Sequence, residues 1–181
     1  MSKQRKKRVA VVNCRGGNRA ARIVDAHQIQ GDCKQALAEH PEGILACAWG
    51  CVGMGSCIAA CRLKAIHLNA YGTAEVDREK CVGCGLCVKA CPKALIHMST
   101  PEATVQPQCS NRDKGAEARK RCAVSCIACR ICEKNCPVDA ITVIDNRAVL
   151  NEDLCIACGM CAVKCPRGVI VDFDGILTIN D

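Results

Sequence analysis

The sequence predicts an α+β fold: two small tandem modules of short helices and hairpins, with interiors filled by bound inorganic groups rather than by side chains. Three observations predict it. The chain has 181 residues, 20 of them cysteine, yet its only aromatic residues are Trp49, Tyr71 and Phe173. Sixteen of the cysteines fall into four quartets, and an apolar run ending in a cysteine precedes each pair of quartets, which reads as an internal duplication. A core needs large side chains to bury much apolar area; Ala, Val, Ile and Cys cannot supply it alone.

Three quartets read C-x2-C-x2-C-x3-C-P: Cys81, Cys84, Cys87 and Cys91; Cys126, Cys129, Cys132 and Cys136; Cys155, Cys158, Cys161 and Cys165. The fourth, Cys47, Cys51, Cys57 and Cys61, is stretched to C-x3-C-x5-C-x3-C. This is the bacterial ferredoxin spacing for [4Fe–4S] clusters. Thiolates two residues apart on a tight loop can wrap three corners of a cube, and the fourth, before a proline, leaves on a helix towards the neighbouring cube. Zinc sites use two cysteine pairs across a long spacer. Disulfides need an oxidising compartment, and no signal-peptide pattern opens the chain.

The elements follow from the quartets. Residues 1–40 form an N-terminal basic tail with a strand and helix extension, including Val9–Val12 ahead of Cys14. Residues 41–100 are the first 2[4Fe–4S] ferredoxin module, 101–121 a connector with Pro101 and Pro107, and 122–181 the second module. After each fourth cysteine a brief helix is expected. An apolar strand follows, at Ala65–Leu68, Leu95–Met98, Ala140–Ile144 and Val169–Phe173. Further strands precede two of the quartets, at Thr73–Asp77 and Arg147–Asn151. Helix-compatible stretches accompany Cys33 and Cys122.

Two-cluster ferredoxins exchange their fourth ligands. The expected sets are therefore Cys47, Cys51, Cys57 with Cys91; Cys81, Cys84, Cys87 with Cys61; Cys126, Cys129, Cys132 with Cys165; and Cys155, Cys158, Cys161 with Cys136. Cys14, Cys33, Cys109 and Cys122 are left over. They form a fifth cluster or pack as free structural thiols, and both readings stay open. His67 and His97 read as strand-face residues, since the cysteines already suffice as ligands. The stretched loop, with Arg62 in place of proline, predicts a potential set apart within the roughly −700 to +450 mV open to such clusters.

Formal charge is +7, but about two negative charges per oxidised cluster and its thiolates bring four sites to roughly −1, which weakens the case for nucleic acid. The basic tip, Lys3, Arg5, Lys6, Lys7 and Arg8, reads as a solvated terminus or a docking arm. Residues 44–61 carry no charge, but their four cysteines and three glycines mark a cluster loop rather than a membrane span. Gly53-x-Gly55 lacks the strand–helix setting of a dinucleotide motif. No nucleophile–base constellation stands out, so the chain is not expected to be an enzyme on its own.

Several runs resemble the B subunit of the Rnf electron-transport complex. They are Cys47-Ala-Trp-Gly-Cys51-Val-Gly-Met-Gly-Ser-Cys57, Lys80-Cys81-Val-Gly-Cys84-Gly-Leu-Cys87, Cys109-Ser-Asn-Arg-Asp-Lys-Gly115 and Arg119-Lys-Arg-Cys122, with Cys126 to Cys136. The likeness runs from about Val9 to Ile170. It implies a polyferredoxin subunit relaying single low-potential electrons from a donor such as ferredoxin to a flavin- or metal-containing partner oxidoreductase. The membrane helix and first cysteine-rich domain usual in that family do not precede this region. The expectation is therefore a cytoplasmic protein, or one at the cytoplasmic face of a membrane complex, with no span of its own. An electron-transfer subunit of another dehydrogenase is the alternative reading; an iron–sulfur redox sensor is a weaker one.

Overall fold

Cysteines at every third residue leave little room for long elements, and the elements are short. In the computed structural model, which describes residues 7–175, the first half contains β1 (Val9–Val12), α1 (Cys33–Glu39), α2 (Ser56–Ala59), β2 (Ile66–Leu68), β3 (Ala74–Val76), α3 (Leu86–Ala90) and β4 (Ile96–Ser99). The second half contains β5 (Val105–Pro107), α4 (Gly115–Arg121), α5 (Ile131–Lys134), β6 (Ile141–Ile144), β7 (Arg147–Leu150), α6 (Met160–Val163) and β8 (Ile170–Asp172). The same order of strands and helices thus occurs twice.

Four two-stranded antiparallel sheets repeat the same pairing: β1 with β4 and β2 with β3, then β5 with β8 and β6 with β7. Consequently the segment before residue 40 shares a sheet with β4, Val9 lying opposite Ser99. The segment expected to be a connector supplies β5, with Val105 opposite Asp172. Lys3, Arg5 and Lys6 of the basic tip lie outside the described residues. Arg8 is exposed and donates from Nη2 to the Met98 carbonyl at 3.0 Å.

The helices differ from expectation. None follows a fourth cysteine; α2, α3, α5 and α6 instead carry the third cysteine of each quartet, Cys57, Cys87, Cys132 and Cys161. After the fourth cysteine the chain turns through a residue of positive φ: Lys64 at 51°, Ala94 at 49°, Asp139 at 49° and Gly168 at 58°. The turn aims the next backbone N–H at sulfur. Ala65 donates to Cys61 Sγ at 3.3 Å, Leu95 to Cys91 Sγ at 3.4 Å and Ala140 to Cys136 Sγ at 3.2 Å. A continued helix would have sent that N–H to the cysteine's own carbonyl.

The buried residues form three groups, one in each half and one between them. The first gathers Val9, Val12, Ile66 and Ile96 around Cys57, Cys81 and Cys87. The second-half group gathers Val105, Ile141 and Ile170 around Cys126, Cys132 and Cys161. The third joins Ile29, Cys33, Ala36, Ile44 and Leu45 to Cys122. No aromatic residue enters these groups. Instead Arg19 lies over Tyr71, Arg78 over Phe173 and Arg112 over Trp49, at 3.6, 4.4 and 5.1 Å. The uncharged stretch 44–61 is turns, loop and the four-residue α2. Among the described residues no helix is long and apolar enough to cross a membrane.

Candidate iron–sulfur centres

A loop that wraps a cube must curl so that several side chains point to one place. Four loops do so with one backbone pattern. The second and fourth residues past the opening cysteine have positive φ: Gly53 and Gly55, Gly83 and Gly85, Ala128 and Arg130, Ala157 and Gly159. Arg130 and the two alanines hold a conformation that L residues rarely adopt, so the loops are over-determined by what surrounds them.

This shared backbone sets the register of the first loop. It opens at Cys51, not Cys47, and Met54 stands where Cys84, Cys129 and Cys158 stand in the others. Cys33, at the start of α1, lines one cavity with Cys51, Cys57 and Cys91. Asp32 caps that helix by accepting from the N–H groups of Lys34 and Gln35 at 2.8 and 3.0 Å. The Cys33 N–H donates to Ser56 Oγ at 2.9 Å, fastening the helix to the loop. Met54 packs against the same apolar group as Cys33.

The structure therefore does not bring Cys47 to Cys51, Cys57 and Cys91. The local reason is the extra cysteine four residues before the loop, which the spacing alone cannot tell from a ligand of it. Cys47 lines a different cavity with Cys14, Cys109 and Cys122. The alternative grouping of Cys14, Cys33, Cys109 and Cys122 does not form either, because Cys33 is taken up by the first loop.

The other quartets assemble from interleaved loops. Cys61 joins Cys81, Cys84 and Cys87 around one cavity. Cys136 joins Cys155, Cys158 and Cys161 around another. Cys165 and Cys129 both act on the Cys126 and Cys132 thiols. His67 and His97 sit on β2 and β4 and line none of these cavities.

Do these residues fit [4Fe–4S] clusters? Among the described residues no three Cys, His, Asp or Glu side chains converge on a single metal ion. A lone tetrahedral zinc needs all its sulfurs about 2.3 Å from one centre, whereas a cube takes one sulfur at each of four separated corners. Backbone donors also aim at the sulfurs, as from Ala10 to Cys81 Sγ and Ala157 to Cys155 Sγ, both at 3.4 Å. Such donors favour thiolate over thiol and tune cluster potential. The sets fit.

Burial works against free thiolates. It pushes the Cys57, Cys109 and Cys161 thiols up to about 12, and Cys51 and Cys132 to about 11. These sulfurs hold protons at neutral pH until iron displaces them. Lowering the pH therefore opposes assembly, one proton per ligand. Iron and sulfide uptake by the reduced apo chain is expected to rise with pH from neutrality upward, with released protons detectable in a pH-stat, about one for each thiol ligated; flat uptake would contradict this.

The comparisons agree with this chemistry. Models described as 4Fe–4S dicluster domains match residues 45–98, 80–140 and 125–170. The B subunit of an ion-translocating oxidoreductase complex from Methanosarcina acetivorans is 37% identical over 78% of this chain and 53% of its own. The B subunit of the Na(+)-translocating ferredoxin:NAD(+) oxidoreductase complex of Acetobacterium woodii is 40% identical over 81% of this chain and 44% of its own. Its counterpart in the proton-translocating ferredoxin:NAD(+) oxidoreductase complex of Clostridium ljungdahlii is 39% identical over 81% and 51%. The chain spans about half the length of the curated relatives it matches. The chain carries 4Fe–4S dicluster domains and is similar to the B subunits of ion-translocating oxidoreductase complexes.

Proposed function

We propose that this chain is an electron-relay subunit of a ferredoxin-dependent oxidoreductase complex, built as two tandem 2[4Fe–4S] ferredoxin modules, with no turnover of its own. Four sets of four sulfurs contributed by interleaved loops carry this reading, with homology to complex subunits named for ferredoxin and NAD. On this reading the ligands are Cys33, Cys51, Cys57, Cys91; Cys61, Cys81, Cys84, Cys87; Cys126, Cys129, Cys132, Cys165; and Cys136, Cys155, Cys158, Cys161. Bound clusters of this type supply one-electron storage and transfer.

The chain's own residues set the terms. Backbone N–H groups at Ala65, Leu95 and Ala140 stabilise negative sulfur, and exchange of fourth ligands ties paired sites into one rigid unit. Val82 beside Cys81 and Ile156 beside Cys155 are 62% and 61% exposed, leaving apolar contact area at two of the sites for redox partners. Membrane association, on this reading, comes through partner subunits at the cytoplasmic face.

Anaerobic stopped-flow mixing with reduced ferredoxin is expected to bleach the visible absorbance of the loaded chain within the mixing experiment, with no oxidation of NADH by the chain alone. A fully loaded chain that accepts no electron from ferredoxin would overturn the assignment.

A further inference from the structure

We propose that Cys14, Cys47, Cys109 and Cys122 hold a fifth [4Fe–4S] cluster at the junction of the two halves, joining the other sites into one series. The inference rests on the iron–sulfur reading above. These four side chains line one cavity, just as Cys136, Cys155, Cys158 and Cys161 line another. Two sulfurs come from each half, and the halves meet there: Cys14 and Cys109 form an antiparallel bridge, as do Ala20 and Cys122.

The hydrogen bonds discriminate between a cluster and four idle thiols. Gly16 and Cys51 donate backbone N–H groups to Cys14 Sγ at 3.4 and 3.3 Å. Cys126 donates to Cys109 Sγ at 3.3 Å, and the buried Asn111 donates from Nδ2 to Cys47 Sγ at 3.3 Å. A neutral thiol is a weak acceptor, so four donors directed at thiols in a largely buried site would lose hydrogen-bond energy. A thiolate ligand accepts charge-assisted bonds. Cations stand close: Arg15 lines the cavity, and Arg167 donates to the Cys122 carbonyl at 2.9 Å.

The same contacts connect the site symmetrically. Cys47 precedes Cys51 by four residues, and Cys122 precedes Cys126 by four. Cys51 and Cys126 also send their own N–H groups to Cys14 and Cys109. Each half therefore offers one covalent path and one hydrogen-bonded path to the junction. An electron leaving the Cys51 site oxidises it, reduces the junction, and then passes to the Cys126 site; no bond breaks and no proton is required. Without the junction the two modules have no shared sulfur site between them.

The test is native mass spectrometry of the full chain, purified anaerobically, with iron and sulfide analysis. The heaviest species is expected to carry five clusters and about twenty irons, four per cube. Cys109→Ser should lower this to four clusters. Should that variant fail to fold, the unaltered chain still decides: a heaviest species with four clusters overturns the junction site while leaving the proposed function, and a chain without iron overturns both. Asn111→Ala keeps every sulfur, and is expected to retain five clusters while lowering the potential of one; unchanged potentials throughout would remove Asn111 from the site.

Discussion

Stripping the iron is expected to abolish the fold. Among the described residues the longest helices, α1 and α4, have seven residues, well below the roughly 12–15 at which isolated helices become even marginally stable. Among the described residues every sheet has two strands of three or four residues, and two-stranded sheets of this size do not stand alone in water. The apolar groups consist of Ala, Val, Ile, Leu and Cys with no aromatic residue, and many of the buried positions are the sulfurs themselves. Metal-binding energy in such a chain is folding energy. Circular dichroism of chelated, reduced protein should show loss of most ordered signal and no cooperative thermal transition, with recovery on adding iron and sulfide. A cooperative melt of the apo chain would refute this.

A second large effect is expected at a position far from any loop motif. Cys33→Ala should remove the cluster of the Cys51–Cys57 loop, about four irons per chain, because it deletes the sulfur that stands in for Met54. Cys91→Ala should strike the same cluster and not that of its own loop, since Cys91 lines the cavity with Cys33, Cys51 and Cys57. The decisive variant is Met54→Cys in the Cys33→Ala background. It restores the ordinary C-x2-C-x2-C spacing on a backbone already curled through Gly53 and Gly55, and should return the lost cluster. It should not rescue Cys47→Ala. Iron counts with EPR of the reduced proteins decide; rescue of Cys47→Ala by Met54→Cys instead would reverse the roles of Cys33 and Cys47.

Much of this was legible in the chain. The strand segments fall where alternating and β-branched runs suggested, as at Val9–Val12 and Ile141–Ile144, because a strand's character is local. The brief helices were misplaced: proline after a fourth cysteine suggests a helix start, but the turn through Ala94 or Asp139 exists to send an N–H back to sulfur. The proposed ligand Cys33 is not legible for a different reason. It lies 18 residues before Cys51, and no spacing rule links a residue on one helix to a loop that packs on it. A signal was present: laying Cys57 and Cys61 over Cys87 and Cys91 puts Met54 opposite Cys84 and leaves the loop one sulfur short. Cys47 masks that difference by making a plausible stretched quartet.

By itself the sequence determined the chemistry and the duplication, because thiol number and short spacings fix what a loop can wrap. Which sulfurs share a site was decided only by tertiary structure. Cys33 reaches its loop through a capped helix, and Cys14 meets Cys47, Cys109 and Cys122 only where two halves bridge. A cube is gripped at four corners in space, and chain separation carries no information about which distant strand or helix will arrive at the fourth.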